Sequence, residues 1–168
     1  MNRKHLLIAI SASFALSACG SNDGSPEAGE YQQTVKITEL NFPDMTEEVK
    51  QQTIIQMEQA AGGGSGGLFC MNGDDGGAQW KQAASQMAST LGGDCETKKD
   101  NGSATRLDLE MVCKETAQGD IQISMSGDAN KNGYESSMTF DLKHPVSGDT
   151  ARIAMNIGAK RVGDCPAE

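Results

Sequence analysis

The sequence predicts an α+β fold: a curved antiparallel β-sheet meander of about six strands with two short helices, crosslinked by disulfides. Three observations carry this reading. From Asp94 onward, apolar residues alternate with polar ones at period two, the signature of strands with one buried face. Twenty glycines and few aromatic rings mark a turn-rich chain with an aliphatic and methionine core. Beyond residue 19 stand four cysteines, Cys70, Cys95, Cys113 and Cys165, an even number suited to two crosslinks. The 168 residues fit one domain.

The elements follow in chain order. Residues 1–18 read as a signal peptide, with a basic start at Arg3 and Lys4 and an apolar run from Leu6 to Leu16. That run is far shorter than the ~20 residues a spanning helix needs. It ends in Leu16-Ser17-Ala18-Cys19, which resembles the lipobox of bacterial lipoproteins. The resemblance implies a lipid on Cys19, and Gly20 in place of Asp implies onward transport to an outer membrane. Residues 19–30 then form a lipidated cysteine and a flexible tether of roughly 18 Å r.m.s. reach, since they lack apolar periodicity. The folded domain spans 31–168.

Tyr31, Gln33, Val35 and Ile37 alternate along a first strand, 31–40, placed at a sheet edge. Pro43-Asp44 stops it, and Asp44 with Glu47 resembles a capping pair for a helix over 45–60 carrying Met45, Val49 and Met57. The glycine run at 62–67 breaks that helix. Leu68-Phe69-Cys70-Met71 reads as a short apolar strand, and Trp80, Ala84, Met87 and Leu91 mark a second helix over 77–91. A strand over 94–99 and four alternating runs follow, through Leu107, Leu109 and Met111; Ile121, Ile123 and Met125; Tyr134, Met138, Phe140 and Leu142; and Ala151, Ile153, Met155 and Ile157. Short links between them make neighbours antiparallel.

Four cysteines allow three pairings. Strand parity favours Cys95 with Cys113, provided that a loop of several residues around Asn101-Gly102-Ser103-Ala104 separates the strands; a tight Asn-Gly turn would set Cys95 opposite Asp108 instead. Cys70 with Cys165 is the complement. A zinc site lacks CxxC spacing and a nearby histidine.

The candidate functional residues are methionines. Met111, Met125, Met138 and Met155, one per successive strand, all point to the apolar face. Such a stripe serves as core, as an adaptable surface for an amphiphile or a partner's apolar segment, or as a Cu(I) thioether site. Core is the default for an apolar stripe. Asp128-Ala129-Asn130-Lys131-Asn132-Gly133 matches the first half of an EF-hand loop, but its twelfth position is Thr139, so Asn132-Gly133 reads as a hairpin turn. Catalytic sets are lacking. The cysteines are all assigned, His144 stands alone once His5 leaves, and Asp74-Asp75 and Asp108/Glu110 read as solvated carboxylates. The chain beyond residue 18 carries 12 basic against 23 acidic residues, a net of −11, which repels nucleic acid and anionic surfaces. No cofactor or metal is expected.

Tyr31 to Leu40, Pro43 to Met57, Phe69-Cys70, the Cys95 to Cys113 spacing, Gly127 to Tyr134 and Ala159-Lys160-Arg161-Val162-Gly163-Asp164-Cys165-Pro166 resemble an envelope family known as domain of unknown function 3617. The resemblance covers nearly all of the chain beyond the tether. It implies a small secreted or lipid-anchored protein of proteobacterial envelopes and brings no catalytic residues with it. The chain departs from the family's Thr-Pro-Glu after the first cysteine, having Met71-Asn72-Gly73-Asp74. The expected function is that of a non-catalytic envelope lipoprotein facing the periplasm, binding an amphiphile or a partner protein on a curved sheet. The alternatives are an envelope hydrolase using acidic residues and a purely structural lipoprotein. Cys19→Ser is expected to leave the chain uncleaved or released in soluble form, as read by membrane fractionation and intact mass. Membrane retention after trimming at the same bond would overturn the lipobox reading.

Overall fold

The computed structural model describes residues 24–61, 67–71, 86, 88–117, 119–143 and 148–166. The described strands are β1 (Gly29–Asn41), β2 (Leu68–Met71), β3 (Asp94–Asp100), β4 (Arg106–Thr116), β5 (Gly119–Asn130), β6 (Gly133–Lys143) and β7 (Thr150–Gly163), with helix α1 (Glu47–Ala61) after β1. They form one antiparallel sheet in the order β2-β1-β7-β6-β5-β4-β3. The meander from β3 to β7 is the one the alternation predicts. The first strand, however, does not lie at an edge. It pairs with β7 on one side and with β2 on the other, so the short apolar run over Leu68–Met71 becomes the seventh strand and the edge.

Register explains the core. Leu109, Met125, Met138, Met155 and Ile37 lie side by side in one row, and Met111, Ile123, Phe140, Ile153 and Leu40 form the next. Period two puts every member of both rows on the same face. The main cluster sits over β4, β5 and β6, with Ala88 and Leu91 of a second, short helix packed against it (residues 86 and 88–91 are described as helical). A smaller cluster of Tyr31, Met71 and Ala159, joined by Phe69 and Tyr134, occupies the end of the face near the β5–β6 turn. The row between the clusters is pinched. A Cβ at Gly127 would lie 2.4 Å from the Glu135 carbonyl oxygen, so only a residue without a side chain lets β6 approach.

Helix α1 starts two residues later than its apolar spacing predicts. Thr46 Oγ1 accepts from the Val49 amide at 3.4 Å, so Thr46 caps the helix in place of Asp44. No α1 residue is fully buried, and Val49 and Ile55 are about half exposed. Its tie to the sheet includes Glu58 Oε1, which accepts from the Ile37 amide at 2.8 Å where a bulge between Ile37 and Glu39 frees that group.

Both disulfides join the residues expected, Cys95 to Cys113 and Cys70 to Cys165. Cys95 faces Cys113 directly in the β3–β4 register, and residues 101–105 supply the longer loop that this pairing requires. The β5–β6 hairpin turns one residue earlier than the Asn132-Gly133 reading. Lys131 and Asn132 occupy the turn, and Asn130 Oδ1 accepts from the Asn132 amide at 2.8 Å. Gly133 is needed for another reason. Its φ is +151°, and a Cβ there would meet the Ala159 carbonyl oxygen at 1.9 Å. Gly133→Ala is therefore expected to lower the unfolding free energy by about 2 kcal/mol or more in denaturant melts, since both strain and displacement of β7 are imposed.

Candidate functional site

The predicted methionine stripe is a row of three with a fourth member beside it. Met125, Met138 and Met155 are directly opposed across β5, β6 and β7, while Met111 lies one row away, opposite Ile123. Met111, Met125 and Met138 are buried, at 4%, 5% and 7% exposure, and belong to the main cluster. Met155 is only half-buried. So are Ile153 and Ile157, its neighbours on the same face of β7, and Phe140 and Val35 beside them. Ile37 and Leu40 on β1 are buried again. The apolar face is thus less fully covered along β7 than over β4 and β5 or at Ile37 and Leu40, with Phe140, Met155 and Ile157 packed against the margin of the main cluster.

The opposite face holds a polar trough of about 740 Å³. Two rows floor it: Lys36, Asn156, Ser137, Ser126 and Asp108, then Thr34, Gly158, Glu135, Asp128 and Arg106. Ser137 Oγ donates to Asn156 Oδ1 at 2.9 Å. At one side Lys99 reaches Asp108 at 2.7 Å, and this hydrogen-bonded ammonium holds the Asp108 carboxyl below the usual aspartate range. Arg152 binds Asp141 through Nε and Nη2, at 2.6 and 3.1 Å, two rows further along β6 and β7 toward the β4–β5 turn. No motif in the sequence marks this trough. Its residues are the off-beat members of the strands that gave the apolar pattern, and register alone shows which of them become neighbours.

The remaining candidates separate. Asp128, Asn130 and Asn132 of the EF-hand-like run sit on a β-hairpin, with the Asn130 side chain bound within the turn. Among the described residues no group of three His, Cys, Asp or Glu side chains converges as a metal site would. Cys19, His144 and Asp74-Asp75 lie outside the described residues, as do Trp80, Ala84 and Met87 of the second helix.

Residues 24–28, read as part of the flexible tether, are bound to the sheet. Ser25 is buried, the Glu27 amide donates to the Lys131 carbonyl at 3.2 Å, and Tyr31 Oη donates to the Glu27 carbonyl at 2.6 Å. Arg161 Nε donates to the Ala28 carbonyl at 3.0 Å. Burial raises the Tyr31 phenol pKa, with Arg161 opposing. The folded part thus takes in residues 24–28 ahead of Tyr31. No sequence pattern marks the segment, because backbone groups hold it.

With this architecture in view, the family model for proteins of unknown function designated DUF3617 matches residues 26–165. The chain belongs to that family. The matched span of DUF3617 takes in every described strand, both disulfides and most of the docked segment before β1. No curated protein and no solved structure matches the chain.

The Lys99–Asp108 pair has a definite pH signature. Because the folded-state pKa of Asp108 is depressed, its stabilising contribution is complete above the unfolded value of ~3.9 and fades as pH falls through the lower folded value. Lys99→Met is expected to return the Asp108 titration toward that ordinary value, as followed by carboxyl NMR shifts, and to weaken this acid-limb dependence.

Proposed function

We propose that this DUF3617 protein is a non-catalytic envelope lipoprotein, anchored through Cys19 on the periplasmic side of the outer membrane, which binds an amphiphile on its apolar sheet face. The observation that carries the reading is the partial exposure of the apolar face along β7. Ile153, Met155 and Ile157 are half-buried, while Met111, Met125 and Met138 on the neighbouring strands are buried. A long acyl chain suits such a strip, because a flexible thioether flanked by branched aliphatics adapts to an unbranched hydrocarbon. Covering this apolar area favours binding at roughly 25 cal/mol per Å², less the cost of immobilising the chain. The alternative of a carboxylate hydrolase gains little from the trough, whose Asp108 is held ionised by Lys99 and so is unsuited to a general acid.

Met155 and Met125 test this together. Met125→Gln buries an unpartnered amide and is expected to cost about 1–3 kcal/mol of stability. Met155→Gln is expected to cost less than about 1 kcal/mol while weakening a long-chain fluorescent fatty acid several-fold, because its amide stays solvated and its apolar contact is lost. Denaturant melts and fluorescence titrations read both. Equal destabilisation by the two variants, with no fatty acid bound by the parent, would overturn the reading.

A further inference from the structure

The docked segment before β1 gives the molecule a direction. We propose that the pole of the sheet formed by the β5–β6 turn and the β3–β4 loop is a membrane-facing surface, held toward lipid headgroups by a tether too short to let the domain turn over. This rests on the reading of Cys19 as the acylated residue. If residues 20–30 were all free, the domain would sample every orientation. They are not all free: Ser25 is buried, Glu27 is bonded to Lys131 in the β5–β6 turn, and a Cβ on Gly24 would lie 3.3 Å from Thr105 Cγ2 at the end of the β3–β4 loop. Thr105 in turn accepts from the Ala129 amide at 2.7 Å, so both contacts belong to one pole.

Five residue steps then separate Cys19 from Gly24, at most ~18 Å when fully extended. β5 has 12 residues, and at 3.2–3.4 Å each this strand runs for ~40 Å. The tethered pole is therefore confined to within ~18 Å of the bilayer surface, while the opposite pole, at the β4–β5 turn, is free to stand more than twice that distance away. Charge keeps it there. The net of −11 beyond the signal segment repels an anionic surface, so lying flat on the bilayer is disfavoured, and the tip of the tethered pole presents an exposed cation, Lys131.

The test uses full-length protein extracted from its own envelope, carrying a fluorophore on an encoded azide side chain at position 131 or 117. Each is reconstituted into phosphatidylethanolamine–phosphatidylglycerol vesicles containing a headgroup quencher. Quenching is expected to be several-fold greater at 131 than at 117. A flexible Gly/Ser insertion of about twenty residues after Ser21 is expected to abolish most of that difference, since the reach then approaches the length of the domain. Equal quenching at the two positions in protein whose intact mass shows acylation would overturn the orientation and leave the anchor reading standing. A difference that survives the insertion would likewise overturn the tether as its cause. An intact mass without acyl groups would overturn the anchor, and the orientation with it.

Discussion

The pairing of the first strand with the last is the constraint on which the remaining architecture depends. The β1–β7 ladder runs from Glu30 opposite Gly163 to Asn41 opposite Arg152, joining segments more than a hundred residues apart. It turns β7 from an edge into a central strand and leaves β2 to close the sheet outside β1. With β2 beside the start of β1 and Cys165 just beyond the end of β7, Cys70 and Cys165 come within 5.7 Å at Cα and can be joined. The same ladder delivers Arg161 to the Ala28 carbonyl and Asp164, fixing the chain ahead of the sheet. Without β1, the meander from β3 to β7 would end in a bare strand carrying Ile153, Met155 and Ile157, the kind of apolar edge that recruits other chains.

How much of this was legible in the sequence follows from where each piece of information resides. Alternation at period two is written in single strands, so Leu107 to Met111 and Ile121 to Met125 announce both their structure and their buried face. The Cys95–Cys113 bridge was legible because parity and loop length constrain two adjacent strands together. The partner of β1 was not, since nothing in the pattern from Tyr31 to Leu40 distinguishes an edge from a position between two neighbours. Residues 24–28 were read as free because their anchors are the Glu27 amide and the Ala28 carbonyl, groups that every sequence contains. The hairpin was placed one residue late for a related reason: Gly133 looks like a turn glycine, yet the approach of Ala159 is what demands it.

The methionines show why a residue type does not settle a role. Met138 and Met155 are direct neighbours across β6 and β7, yet one is buried and the other half-buried. The difference lies in what covers each strand, and cover is a property of the assembled sheet. The polar trough teaches the converse. Ser126, Ser137 and Asn156 are unremarkable singly, and register makes them the floor of a continuous hydrophilic channel on the face opposite the core. A sheet with an apolar face and a troughed polar face offers two chemically distinct surfaces on a single small scaffold.

The terminal position of β1's partner also sets an order of events. A chain that emerges one end first, from a ribosome or through a translocation pore, exposes β1 long before β7 exists to receive it. The β3–β6 hairpins can form as they appear, since each pairs with the strand just before it. The first strand must wait, with its hydrogen-bonding groups unpaired on the β7 side, until β7 has emerged. Long-range pairing of this kind is slow to form and leaves open strands in the meantime. Completion of the sheet is thereby coupled to the emergence of β7, and the Cys70–Cys165 bond can close only once Cys165 has followed it.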